Sequence, residues 1–154
     1  METMIINKQI RIQTDSGLQI LELIISFDHD DPDEVSKMTI KARFEGKEIT
    51  AAGTHYPFED AYADLQNKLP KSVKLAGCVT CRHGNLSPAG NGLDEVFCTK
   101  DVSISCKSDL FFYTEDKCET KRRARKYTDF CDDYVSQEED VFTYNDYLIN
   151  LNHA

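Results

Sequence analysis

The clearest strand signal in the chain lies in residues 37–44, KMTIKARF, where polar and apolar side chains alternate strictly. Successive side chains of a β-strand point to opposite faces of a sheet, so a period of two indicates a strand with one buried face. We therefore predict a strand over this stretch. Its buried face carries Met38, Ile40, Ala42 and Phe44.

Two further strands are predicted upstream of this one. Alternating apolar residues indicate the nearer strand over residues 21–27, and additional isoleucines on its other face favour a central position in the sheet. Ile10 and Ile12 mark the farther strand. Turn-type residues at 15–17 and 45–47 predict hairpin connections, whereas residues 28–34 are interpreted as an acidic loop. The amino-terminal part of the chain is thus predicted to be an antiparallel β-meander.

A helix is predicted after the meander. Pro57 suits a first helical turn, where its missing N–H costs nothing, and apolar residues recur at helical spacing as far as Leu69. Val73 and Leu75 alternate with polar residues and predict a short strand that leads into Cys78.

Loop and helix signals follow in the carboxy-terminal half. Residues 82–94 are rich in turn-forming residues and predict a loop, and residues 96–99 predict a short strand. Thr114 is expected to cap a helix in which Glu119 pairs with Arg123. One face of that helix is predicted to carry Tyr127, Phe130, Cys131 and Tyr134, and a last helix is predicted to follow Thr143.

These elements predict an α+β fold in a single domain, 1–154. Residues 1–76 are predicted to form the antiparallel sheet with its packed helix. Residues 77–154 are predicted to form a zinc-knuckle-like cysteine region and C-terminal helices packed on it.

Charge and hydropathy limit the classes of function. The formal net charge of -9 disfavours nucleic acid or an anionic membrane surface as a partner and favours a basic protein. No apolar run is long enough to cross a bilayer, and the amino terminus does not resemble a secretory signal. We expect a cytoplasmic protein, in which the six cysteines are reduced and metal binding or free buried thiols explain them better than disulfides.

The spacing of the cysteines predicts a metal site. Cys78 and Cys81 are separated by two residues at a strand end, so both thiolates can enter one tetrahedral shell from a tight turn. Cys98 follows after residues 82–97, a separation found in zinc-ribbon-like sites. We prefer Cys131 as the fourth ligand, and a zinc ion held by four protein ligands would be structural.

Other assignments of the fourth ligand stay open. Cys106, Cys118 and His83 compete with Cys131, and Cys106 is equally interpreted as a core residue because it alternates with Val102 and Ile104. No paired carboxylates, phosphate loop or nucleophile elbow is present, so we expect no enzymatic activity and assign no catalytic residue.

Two charged segments suggest different partners. Residues 121–126, KRRARK, together with Arg82, would suit a zinc-dependent regulator that binds nucleic acid, although an ion-paired helix surface is the commoner explanation. Acidic residues interleaved with aromatic ones over residues 129–147 instead favour an interface with a basic protein. A third hypothesis is a thiol redox or metal sensor that uses Cys78 and Cys81.

The cysteine region resembles an uncharacterised bacterial family of small cysteine-containing domains. The resemblance rests on residues 78–88, CVTCRHGNLSP, on residues 96–98, VFC, and on residues 131–134, CDDY. It implies that Cys131 is the fourth ligand, but it implies no activity. By analogy of size and charge, the chain is also similar to cytoplasmic immunity proteins that neutralise a toxin.

Overall fold

The structure, a computed structural model, describes residues 2–31, 34–54, 57–85, 95–106, 108–111 and 116–136. The chain divides into two compact units. The first contains Met1–Leu75 and is called unit 1; the second, Ala76–Asp146, is called unit 2. The assignment of both to one domain stays a prediction.

Unit 1 is built on an antiparallel sheet, as the alternating sequence predicts. The spatial order of its strands is β4-β3-β2-β1-β5, so β2 lies in the middle, as its additional isoleucines indicated. The four long strands follow one another as hairpins, and the short strand β5 pairs with β1 at Ile12 and Gln13. The strands are β1 Glu2–Thr14, β2 Gly17–Asp31, β3 Glu34–Phe44, β4 Lys47–Gly53 and β5 Lys74–Leu75.

One face of this sheet forms the core of unit 1, and the period of two is visible in the burial. On β3, for example, Met38 and Ile40 are fully buried while Lys37 and Lys41 are exposed. The β3–β4 connection closes with Glu45 and Gly46 at φ values of 51° and 79°, the left-handed conformations of a tight hairpin turn.

The predicted acidic loop at residues 28–34 is wrong in extent. β2 continues to Asp31 and β3 begins at Glu34, with register shifts near residues 28–31 absorbed by bulges. Hydrogen bonds to Asp28 help to keep the ladder intact, because its carboxylate accepts from the Thr3 hydroxyl at 3.1 Å and its carbonyl accepts from the Ser36 hydroxyl at 3.0 Å.

Helix α1, Pro57–Lys68, packs on strands β3 and β4 as predicted. The Phe58 ring lies against the Phe27 ring with their centroids 5.4 Å apart, which joins the helix to the core face of the sheet. The buried Gln66 fixes the chain after the helix, because its amide donates to the Val73 carbonyl at 2.7 Å and accepts from the Leu75 N–H at 2.8 Å.

Unit 2 contains a small antiparallel sheet with strand order β6-β7-β8. Its strands are β6 Gly84–Asn85, β7 Val96–Cys98 and β8 Ala124–Arg125, and a 3₁₀ turn, Cys78–Thr80, precedes β6. The short strand predicted at residues 96–99 is confirmed as β7, whereas β6 begins inside the predicted loop. The rest of that loop, residues 86–94, lies outside the described residues.

The predicted carboxy-terminal helix is shorter than expected and starts elsewhere. Helix α2, Lys117–Arg123, is capped by Asp116, whose carboxylate accepts from the Cys118 and Glu119 N–H groups. It ends at Ala124, where the chain enters β8. The helical face predicted to carry Tyr127, Phe130, Cys131 and Tyr134 is therefore wrong, because residues 126–135 form turns and extended chain.

Two helix predictions fall on residues that are not described. Thr114, the expected cap of the first carboxy-terminal helix, and Thr143, the expected start of the last, both lie outside the described residues. No described helix is long and apolar enough to cross a membrane.

Candidate metal centre

The first two cysteines sit on a tight turn at the start of unit 2. The Cys81 N–H donates to the Cys78 carbonyl at 3.3 Å, and the Gly84 N–H donates to the Cys81 carbonyl at 2.9 Å. The Thr80 hydroxyl and N–H both donate to the Gly77 carbonyl, at 3.1 and 3.0 Å. These consecutive bonds close the tight turn that carries Cys78 and Cys81.

Gly84 allows this turn to close. A Cβ atom at residue 84 would overlap the Cys78 carbonyl oxygen, so any side chain there would displace the turn. Gly84 also pairs with Cys98 across the β6–β7 ladder. The same residue therefore links the strand that carries Cys98 to the turn that carries Cys78 and Cys81.

Cys98 lies at the end of β7, where the chain turns away. Beyond it, the Thr99 N–H donates to the His83 carbonyl at 2.9 Å. The buried Asn85 amide donates to the Thr99 hydroxyl at 3.1 Å and to the His83 carbonyl at 3.2 Å. The backbone around Cys98 is thereby tied to the segment that follows Cys81.

Cys131 reaches the same place from a third segment. Main-chain bonds on both sides of Cys131 attach that segment to the first turn: the Cys78 N–H donates to the Asp129 carbonyl at 2.6 Å, and the Arg82 N–H donates to the Val135 carbonyl at 2.8 Å. Cys131 lies between these attachment points. Its position thus depends on long-range pairing and not on a helix.

The four predicted ligands line one cavity of about 140 Å³ in unit 2. Among the described residues, no three cysteine, histidine or acidic side chains are close enough together to hold a metal ion. The four thiols thus share a cavity without forming a closed coordination shell. The other lining residues are His83, Gly84, Val96, Lys100, Arg125, Asp129, Phe130 and Asp133.

The other two cysteines do not line this cavity. Cys106 and Cys118 are exposed, and Cys106 is not in a strand, so the interpretation of Cys106 as a buried strand residue is wrong. All six cysteines lie in the described residues, and none forms a disulfide. His83, the remaining competitor, does line the cavity.

Electrostatic interactions couple the clustered thiols. Burial, and to a smaller extent the nearby Asp129, Cys81, Cys131 and Cys98, together raise the pKa of Cys78 to about 12. A thiolate at Cys78 is thus costly without a compensating positive charge. Burial and the neighbouring Arg82 and Lys100 lower the pKa of His83, against the opposing effect of Asp133.

An ion-pair cluster lies beside the Cys98 segment. The Arg123 side chain is almost fully buried, and its guanidinium donates to the Glu119 carboxylate at 2.7 Å and to Asp101 at 2.5 Å. The predicted pairing of Glu119 with Arg123 is confirmed. Arg122 pairs with the same two carboxylates but is about half exposed. The basic run 121–126 is therefore partly neutralised within unit 2.

Sequence reasoning identified the four cavity cysteines but missed the residues that support them. Asp101 gave no separate signal in the sequence, and Gly84 and Asn85 were interpreted only as residues of a loop. Asp116 was detectable, because an aspartate three residues before Glu119 matches the capping-box pattern. Comparison with known proteins adds no assignment: no protein-family model matches the chain, and no curated protein shows significant similarity to it.

Proposed function

We propose that this protein is a non-catalytic, cytoplasmic protein-binding domain whose unit 2 is stabilised by one structural zinc ion. Cys78, Cys81, Cys98 and Cys131 would be the ligands. The protein would act as an inhibitor or immunity protein on a basic partner, in keeping with its acidic charge and its analogy in size and charge to immunity proteins.

The observation that carries the zinc proposal is that cysteines from three separate segments line one cavity. Four sulfur donors suit Zn²⁺, which binds thiolates in tetrahedral geometry at about 2.3 Å. The thiols would have to close around the ion by side-chain rotation and small backbone shifts. Because all four positions would be filled by protein, the ion would stabilise the fold and leave no position for a reactive water.

A structural zinc ion is expected to contribute strongly to the folding free energy of unit 2, because the strands described there are short. Each strand of the small sheet has only two or three residues, so the described part of unit 2 contains little regular strand pairing. Binding at a structural zinc site contributes directly to folding free energy, with apparent values of about 10–16 kcal/mol in zinc-finger peptides. A metal ion would thus join three segments that short strands connect weakly.

Acidic exposed residues support the proposed basic partner. Asp129, Asp132 and Asp133 are exposed beside Phe130, which is 37% exposed, and these four residues are called the acidic ridge. Within the ridge, Asp133 pairs with Lys100 at 3.0 Å and the Asp129 carboxylate accepts from the Lys126 N–H at 2.8 Å. An aromatic ring provides contact area, while surrounding carboxylates accelerate encounter with a positively charged surface. Tyr134, which the sequence also suggested for this interface, is partly buried instead.

The alternative functions have less support in the geometry. A nucleic-acid regulator would need the basic run to be available, but Arg122 and Arg123 are engaged by Asp101 and Glu119. A redox sensor needs a thiol with a lowered pKa, whereas the pKa of Cys78 is raised to about 12 in the absence of metal.

The zinc proposal is tested by comparing two serine variants. Cys131→Ser removes a cavity thiol, and Cys106→Ser removes an exposed thiol outside the cavity, so the second variant is a matched control. We expect zinc content near one per chain in the wild type and in Cys106→Ser, with much weaker retention under chelator in Cys131→Ser. Equal retention in both variants would exclude Cys131 as a ligand.

The partner proposal is tested by neutralising the acidic ridge. Proteins captured from the source cell by the wild type are compared with those captured by a triple variant, Asp129→Asn, Asp132→Asn and Asp133→Asn. We expect one basic protein to be captured by the wild type and lost both in the variant and at high salt. Capture that is unaffected by the three substitutions would place the interface elsewhere.

A further inference from the structure

The two edge regions of the unit 1 sheet differ in how their outward-facing backbone groups are bonded. Along β4, helix α1 occupies the edge: the Ala52 N–H donates to the Asp64 carboxylate at 3.0 Å, and the Lys68 ammonium donates to the Thr50 carbonyl at 2.8 Å. Side chains that bind outward-facing backbone groups keep other strands from adding to that edge.

Within the part of the chain that the structure describes, no side chain protects the β1 edge over residues 3–10 in this way. β5 pairs with β1 only at Ile12 and Gln13. Among the described residues, the outer side of residues 3–10 is bonded to no strand or side chain. Its outward N–H and C=O groups are suited to one kind of occupant, which is another extended strand.

Apolar side chains accompany this open edge. Met4 is 50% exposed and Ile5 is 66% exposed, although both lie in a regular strand. Residues 3–7, TMIIN, carry no charge in a chain whose net charge is -9. A second copy of this strand is therefore a compatible occupant, because pairing it with itself brings no like charges into contact.

We propose that two copies of this chain pair antiparallel through their β1 edges, with the two-fold axis at Ile5. In this register Ile5 lies opposite Ile5 of the partner, and Met4 lies opposite the partner's Ile6. The backbone of Lys8 lies opposite that of the partner's Glu2, so residue types of opposite charge meet at both ends of the ladder. The two five-stranded sheets become one continuous sheet.

Ile24 allows pairing at the β1 edge to be distinguished from association through the exposed face of the sheet. Ile24 is 51% exposed and lies on the same face of the sheet as Ile5, because Ile5 pairs with Ser26 and Ile24 is two residues away on β2. It is on the central strand and not on the edge. Ile24→Lys is thus a matched control for Ile5→Lys.

The experiment is sedimentation velocity over a range of protein concentrations. We expect the wild type to approach twice the chain mass of 17.6 kDa as concentration rises. Ile5→Lys places two ammonium groups on the axis and should weaken the dimer at least about tenfold, while Ile24→Lys should behave as the wild type. Circular dichroism checks that both variants keep the sheet.

A charge swap tests the register itself. Lys8→Glu alone should weaken the dimer, and the double variant Glu2→Lys with Lys8→Glu should restore it. A wild type that stays monomeric at every concentration overturns the proposal, even if the edge accepts a strand of another protein. Equal losses in Ile5→Lys and Ile24→Lys, or no loss in either, also overturn it.

Discussion

The Arg123 guanidinium donates to the Cys98 main-chain carbonyl at 3.2 Å. A buried cation held by two carboxylates is thereby attached to the segment that carries one of the four cavity cysteines. The bond connects the ion-pair cluster of Arg123, Asp101 and Glu119 to the candidate metal centre.

Replacement of Arg123 by methionine is expected to destabilise unit 2 by about 2 kcal/mol. The change removes a buried charge from Asp101 and Glu119 and takes a donor from the Cys98 carbonyl. Arg122→Met is the matched control, because Arg122 contacts the same carboxylates from an exposed position and does not bind Cys98. Urea unfolding of both variants makes the comparison, and equal losses would contradict this role of Arg123.

Acid is expected to weaken the same cluster. Hydrogen bonds from Arg123 and Arg122 hold the pKa of Asp101 at about 2, below its ordinary value of 3.8. The unfolded state therefore binds the proton more tightly, so Asp101 stabilises the fold above about pH 4 and this contribution is lost as the pH falls to about 2. The stability difference between wild type and Asp101→Asn, measured without metal, should shrink across that interval; a constant difference would argue against the pairing.

Gly84→Ala is expected to weaken the candidate metal centre through the backbone. The new Cβ would overlap the Cys78 carbonyl oxygen, and relief of that overlap must move the turn that carries Cys78 and Cys81. We expect a loss of about 2 kcal/mol together with weaker zinc retention under chelator. Gly53→Ala is the control, since its Cβ meets the backbone of Pro57 and Ala61 in unit 1 and should leave zinc retention unchanged.

Gln66→Leu tests the connection between α1 and β5. Leucine keeps a side chain of similar size but removes the acceptor for the Leu75 N–H and the donor to the Val73 carbonyl, so we expect a loss of about 3 kcal/mol. Gln19→Leu changes an exposed glutamine and should have little effect on thermal unfolding. A comparable loss in the two variants would refute the bridging role of Gln66.

The sequence predicted unit 1 far better than unit 2 for a physical reason. In unit 1 a period of two persists over long strands, so burial of one face, as at Ile40 and Leu23, determines the register. In unit 2 the strands β6 and β8 have two residues each, too few for any periodicity. Such strands form because long-range pairs, such as Phe97 with Ala124, select them.

The same contrast applies to the candidate site. The turn carrying Cys78 and Cys81 is local, so the two-residue spacing of these cysteines was enough to indicate a tight turn there. Cys131 was placed on a helix because apolar residues around it recur at helical spacing, yet Tyr127 is fully buried while Phe130 is exposed. An Asp129 carboxylate that accepts from the Lys126 N–H at 2.8 Å starts a turn there instead. Tertiary pairing, which no local pattern encodes, brings that turn to the cavity.

Native mass spectrometry of the wild type, combined with alkylation of accessible thiols, is the decisive test of the proposed four-cysteine zinc centre. We predict one zinc ion per chain and two alkylated cysteines, Cys106 and Cys118. The other four cysteines should be modified only after the metal is removed. A chain that carries no metal when purified from zinc-supplemented cells, with all six thiols modified at similar rates, would contradict the zinc centre.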